Sequence, residues 1–151
     1  MIIRSAVFDD WETIAEFNIR LARETENKEL NPMTVAAGVR ALLADERHGR
    51  YFLACAESKI VGQMMHTREW SDWRNGEIWW LQSVFVDQSF RRCGIFRGLY
   101  RHLEELAEKS PNVVGLRLYV EQHNSKAINV YRSMGLAEVG YSVMERIFEK
   151  V

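Results

Sequence analysis

The run Glu77 to Val86, Glu-Ile-Trp-Trp-Leu-Gln-Ser-Val-Phe-Val, carries aromatic and β-branched side chains on both of its alternating sets of positions. A strand with one solvated face alternates apolar and polar residues. One that is apolar on both sets must be covered on both sides, so this run belongs inside a layered α/β sheet. The residues after it constrain the chain further. The segment from Asp87 is broken by Arg91, Arg92, Gly94, Arg97 and Gly98, and then Leu99, Leu103 and Leu106 recur at helical spacing. Strand, turn and helix in that order bring the N–H groups of a helix N-terminus to the end of a central strand. The helix dipole and the converging N–H groups make such a turn a phosphate site, and a pyrophosphate-bearing cofactor is the first expectation.

The rest of the chain supplies the layers. Ile2 to Ala6 reads as a strand. Asp9 and Glu12 have capping-box spacing before a helix that carries Ile14, Phe17 and Leu21 and ends near Asn27. Asn31-Pro32 starts a second helix bearing Val35, Val39 and Leu42, up to about Asp45. Strands are expected at Tyr51 to Glu57 and Ile60 to about Thr67, joined by a hairpin at Ser58-Lys59, with a polar stretch from Ser71 to Gly76 before the central strand. Ser110-Pro111-Asn112 stops the helix after the turn, and Val113 to Val120 gives another strand. A helix from Asn124 or Ser125 to Met134 ends at Gly135, and Ala137 to Phe148 reads as a closing strand or strand pair. The order is strand, two helices, three strands, helix, strand, helix, strand.

With 151 residues, 47% of them hydrophobic, the chain supports one core and a single domain over 1–151. Twenty basic residues against 21 acidic ones, for a net charge of -1, argue against general binding to nucleic acid or a membrane surface. No signal peptide or membrane span is visible, and a cytoplasmic protein is expected. Cys55 and Cys93 sit in unlike settings, so a structural disulfide is not expected, and the four histidines have no metal-ligand spacing, so the metal expectation is none.

A second marker lies downstream, Asn124-Ser-Lys-Ala-Ile-Asn-Val-Tyr-Arg-Ser-Met-Gly-Leu136. Taken with Arg91, Gly94 and Phe96 on an Arg/Gln-x-x-Gly-x-Gly/Ala pattern, the chain resembles the GNAT-type N-acetyltransferase family. Asn124, Ala127, Tyr131 and Gly135-Leu136 fall on the family's downstream signature, and Phe96, where Gly or Ala is usual, departs from it. The resemblance spans the chain. It implies a GNAT-like α/β (α+β) domain with a central, mixed, mostly antiparallel twisted sheet of six to seven strands flanked by about four helices. It also implies a transferase, an acetyl-CoA-dependent N-acetyltransferase, acting by direct attack of a primary amine on acetyl-CoA (coenzyme A). The cofactor-binding residues would be Val84, Phe85 and Val86 for the pantetheine arm, and Arg91, Arg92, Cys93, Gly94, Ile95, Phe96 and Arg97 for the pyrophosphate, with Asn124 near the arm.

By the same resemblance Tyr131 is the general acid for the leaving thiolate, and its ordinary pKa near ~10 suits that role. By position alone it reads more readily as core, and Asn124 as a plain N-cap. Glu77 is the leading candidate base, acting through a water, with a solvated strand-end glutamate as the alternative; Glu24, Glu26, Glu69 and His66 rank below it. Trp70, Trp73, Trp79 and Trp80 with Glu69, Asp72 and Glu77 form an aromatic and acidic stretch, readable as a wall for a cationic amine, as hairpin packing or as a homodimer surface. The expected partner is a small-molecule amine substrate, with no nucleic acid and no membrane. A non-catalytic CoA-binding sensor and acetylation of a protein or peptide amine are the alternatives.

Overall fold

The computed structural model describes residues 1–150, in two compact units, Met1–Tyr119 and a second from Val120. The first unit contains β1 (Ile2–Ser5), α1 (Trp11–Glu26), α2 (Pro32–Ala44), β2 (Arg50–Ala56), β3 (Lys59–Ser71), β4 (Gly76–Val86), α3 (Ile95–Lys109) and β5 (Val113–Leu118); the second contains α4 (Ser125–Ser133). The sheet of the first unit runs β1-β2-β3-β4-β5, antiparallel throughout except for the parallel pair β4 and β5.

Strand pleating assigns the helices to faces. Tyr51, Leu53 and Met65 cluster with Ile14 and Ala15 of α1 and Val39 of α2. The neighbouring residues point the other way: Phe52 meets His102 of α3 edge-on at 5.2 Å, and a Cβ on Gly62 would come within 2.8 Å of Ile95 Cγ2. The apolar faces read from the sequence are the ones buried, with Ile14, Leu99 and Leu103 fully covered. Burying each such side chain stabilises the fold by roughly 1.5–3 kcal/mol.

Several local expectations change. A 3-10 turn, Phe8–Asp10, precedes α1, and Asp10 rather than Asp9 organises the entry. Arg4 donates to both Asp10 oxygens at 2.8 and 2.9 Å, leaving Oδ2 placed to accept the Val7 N–H at 2.8 Å. Asn31 does cap α2, accepting from Met33 and Thr34. The hairpin turns at Glu57-Ser58, one residue earlier than expected, with both residues at positive φ as a type I′ turn requires. β3 runs on to Ser71, and β5 stops at Leu118.

Among the described residues the sheet has five strands, not six or seven. Residues 137–150 form no strand among the described residues, and Tyr141, Val143, Met144, Ile147 and Phe148 are exposed. The alternating pattern at Val139, Tyr141 and Val143 suits a pleated surface, but side-chain pattern alone does not make a strand. Its N–H and C=O groups need a ladder to join.

Candidate active site

The chemistry-bearing feature of β4 is a bulge. Its residues Gln82 and Phe85 pair with Met65 and Gln63, so three steps on β4 oppose two on β3. The extra residue reverses the side-chain parity. Before it, Gln82 reaches Thr67 by a 2.6 Å hydrogen bond; after it, Phe85 meets Phe17 of α1 at 4.8 Å. Ser83 takes up the kink with φ at 50°, a left-handed conformation that costs a non-glycine residue about 1 kcal/mol or more.

The bulge falls where β4 loses its other neighbour. The parallel ladder ends at Leu81↔Leu118, while β4 continues to Val86, so residues 82–86 have a β5-side edge without a β5 partner. On the β3 side, the Ser83 carbonyl accepts a hydrogen bond from Gln63 Nε2 at 3.1 Å. Because a trans peptide is planar, the Val84 N–H points opposite to that carbonyl. It points away from Gln63.

Beyond β4, Asp87 Oδ1 accepts from Ser89 N–H at 3.0 Å and starts a short 3-10 turn, after which Arg92 (φ 64°) and Gly94 (φ 78°) both adopt left-handed backbone. Gly94 is the N-cap residue of α3, with no side chain capping the helix and nothing within 4 Å of where its Cβ would be. The first N–H groups of a helix have no acceptor within it. Here they face an approach kept open by glycine and flanked by the exposed Arg92 and Arg97. Phe96 packs its ring against Tyr100 at 6.3 Å, and Gly98 faces the start of the chain, where a Cβ would lie 2.6 Å from Met1 Cε and 3.3 Å from Ile3 Cδ1 of β1. The large side chain at 96 therefore packs along the helix.

Arg91 does not reach into the turn. Its Nε donates to Val86 O at 3.0 Å, its guanidinium lies over Phe85 and its NH2 group pairs with Glu24 of α1. Arg20, also from α1, pairs with Asp87 at 3.1 Å and lies over the Phe85 ring too, 4.9 Å from the centroid. These two arginines fix α1 against the strand-to-turn junction. The Ser89 N–H, with Arg20 assisting, holds the Asp87 carboxylate below its usual range.

Val84, Phe85 and Val86 end β4 and lead through the 3-10 turn into residues 91–97, with the Phe85 and Ile95 side chains buried. Glu77 is elsewhere: it lies six positions before Ser83, about 20 Å along the strand. It accepts a hydrogen bond from Trp79 Nε1 at 3.1 Å and lies 4.0 Å from Arg68 Nε. Glu24 and Glu69, the weaker base candidates, are paired with Arg91 and Arg117. His66 is fully buried, stacked on Trp79 at 4.1 Å, with neither ring nitrogen hydrogen-bonded; burial, reinforced by the charge of Arg68, lowers its pKa to about 4. The tryptophans form no single wall. Trp70 and Trp73 are exposed at the hairpin tip, Trp79 is buried against His66, and Trp80 lies against Tyr119.

In the second unit, Asn124 caps α4 by accepting the Ala127 N–H at 3.2 Å. Gly135 closes the helix in left-handed conformation, and Leu136 N–H donates to Tyr131 O at 3.1 Å. Burial raises the Tyr131 phenol above its ordinary pKa, so it is protonated at neutral pH.

Sequence reasoning missed Gln63, Asn18 and Tyr51, whose hydrogen bonds meet behind the bulge. The available signal was a glutamine inside the otherwise apolar run Ile60-Val-Gly-Gln-Met-Met65. It also missed the role of Arg20, which helical spacing alone does not distinguish from a solvated arginine.

A strand bulged where its neighbour departs, leading into an uncapped helix N-terminus, is suited to an enzyme that holds a phosphorylated acyl carrier in extended form. The chain belongs to the Acetyltransferase (GNAT) family, whose model matches residues 11–136, and it is an acyltransferase of that family. It is similar to a possible acetyltransferase from Clostridium difficile 630, with 46% identity, a TM-score of 0.92, and 99% of this chain and 98% of that chain covered. The fold is shared with a ribosomal-protein-alanine N-acetyltransferase from Brucella melitensis biovar Abortus 2308 at 17% identity and TM-score 0.78, covering 97% of this chain and 99% of the other. It is shared too with an aminoglycoside acetyltransferase from an uncultured soil metagenomic sample, in complex with sisomicin, at 19% identity and TM-score 0.75, covering 99% and 96%. The family generally uses acetyl-CoA.

Proposed function

We propose that this chain works as one N-acetyltransferase domain, moving the acetyl group of acetyl-CoA to the primary amine of a small molecule by direct attack. The observation that carries the reading is the coincidence of the Ser83 bulge with the end of the β4–β5 ladder, which opens an edge of β4 beside the α3 N-terminus. The residues fit the cofactor by their donor chemistry. N–H groups of residues 93–97 suit the pyrophosphate, and the main chain of Val84, Phe85 and Val86 suits the amide-bearing pantetheine arm, as a peptide adds to a sheet edge.

Bound acetyl-CoA supplies an acetyl group activated as a thioester. The Val84 N–H donates to the carbonyl oxygen as negative charge develops there when the amine nitrogen bonds to the carbonyl carbon. As the carbon–sulfur bond breaks, Tyr131 gives its phenolic proton to the sulfur, the nitrogen sheds its extra proton to water as the amide forms, and the Tyr131 phenolate takes a proton back from water; Asn124 orders the start of the helix that carries Tyr131. The ammonium proton is lost to water before attack. No carboxylate of the first unit is assigned to that step, since Glu77 is remote and Glu24 is paired.

The acceptor is read as a small molecule; an open surface groove between α1 and α2, about 760 Å³, is lined among others by Trp11, Glu12, Glu16, Ile19, Arg20 and Arg40. The same Arg20 pairs with Asp87 beside the bulge. The test is release of CoA thiol from acetyl-CoA against a panel of polyamines, aminoglycosides, amino acids and peptide N-termini. Turnover with a small amine is expected, falling ~100-fold or more in Tyr131→Phe with CoA binding unchanged. Turnover with peptides alone would overturn the acceptor class, and none with any amine would overturn the reading.

A further inference from the structure

The bulge is supported from behind by a buried polar relay that no step of the reaction uses directly. Gln63 is fully buried on β3, and its Nε2 donates both to Ser83 O at 3.1 Å and to Asn18 Oδ1 at 2.7 Å. Asn18, on α1, donates from Nδ2 to the Tyr51 hydroxyl at 2.9 Å. The relay thus spans β4, β3, α1 and β2. We propose that Gln63, held by Asn18 and Tyr51, is a positioning residue that fixes the Ser83–Val84 peptide plane and so aims the Val84 N–H at the acyl carbonyl.

Three physical points carry this. A non-glycine residue at φ 50° persists only where its surroundings over-determine it, and Gln63 supplies a hydrogen bond to the carbonyl of that residue. Rotating the Ser83–Val84 plane would move the Val84 N–H off its line and strip the buried Gln63 amide of one of its two acceptors at once. A glutamine costs free energy to bury, and Gln63 Oε1 has no hydrogen-bond partner, so an apolar residue of similar volume would serve packing better. The polar choice is explained by the carbonyl it orients. The same residues link the bulge to α1, whose Arg20 and Glu24 grip the turn beyond β4.

The proposal rests on the acetyl-transfer reading, and its test separates the two. Gln63→Met keeps the side-chain volume and removes both donors; Asn18→Ala removes only the second support and serves if the first variant does not fold. Amide hydrogen exchange on the protein without ligand is expected to speed up ~10-fold or more at Val84 and its neighbours, while the β2–β3 ladder away from residue 63 is unchanged. With acetyl-CoA and the best amine, kcat is expected to fall roughly 10- to 100-fold, with KM for acetyl-CoA and the Kd for CoA within about threefold. Asn18→Ala should show a smaller fall of the same kind. Unchanged exchange at Val84, or a fall in kcat matched by an equal weakening of CoA binding, would overturn the positioning role. Absence of turnover in the parent protein would sink the acetyl-transfer reading, while the exchange measurement would still test the brace.

Discussion

Replacing His66 with phenylalanine should remove a specific acid lability from this fold. His66 has no exposed surface, stacks on Trp79 at 4.1 Å and lies parallel to Phe52 at 6.0 Å, so its protonated form would be a charge without solvent or a carboxylate partner. Its pKa is about 4 in the fold against an ordinary 6.5. Between those values the unfolded chain binds a proton that the folded chain excludes. The stability contributed by a neutral His66 is therefore complete above the ordinary value, is lost as pH falls, and stops declining below the folded value. The full step is about 3 kcal/mol, and roughly 2 kcal/mol of it has gone by pH 5. Urea unfolding of both proteins at pH 7.5 and pH 5.0 isolates the effect, because the cost of fitting the larger ring is common to both pH values. The parent should lose ~2 kcal/mol more than His66→Phe over that interval. Equal losses would mean that His66 takes up its proton without opening the core, and the argument from burial would fail.

Two further substitutions address the site. Gly94→Ala meets no neighbouring atom but forces alanine to φ 78°, so unfolding free energy should fall by about 1 kcal/mol while calorimetry shows CoA binding weakened roughly tenfold; undiminished binding would show that the turn is not the phosphate cradle. Glu77→Gln should leave kcat within about threefold across pH 6 to 9, because some ~20 Å of strand separates it from the bulge. A large loss concentrated at low pH would restore Glu77 as the base.

Much of the fold is written in local patterns. Leu99 and Leu103 recur at helical spacing and are fully buried, Asn31-Pro32 starts α2, and Gly135 ends α4. The doubly apolar character of Glu77 to Val86 correctly places that strand between helices on both faces. Non-local geometry was not legible. Nothing in the series Gln82-Ser83-Val84 marks a left-handed serine, because the kink is imposed by pairing with β3. The partner of Arg91 lies 67 positions away on α1, so sequence spacing could not show its pairing with Glu24. Ala137 to Phe148 has the alternation of a strand, yet pairing depends on a neighbour that its own residues do not specify.

In the proposed function, the open edge of β4 and the start of α3 together hold acetyl-CoA for transfer. A crystal structure of the protein with CoA tests it most directly. The expected result is pyrophosphate oxygens within ~3 Å of N–H groups of residues 93–97, the pantetheine amides on the main chain of Val84 to Val86, and the thioester end of the arm at the Val84 N–H. Phosphates bound away from those N–H groups, or a pantetheine arm that leaves the β4 edge empty, would contradict it.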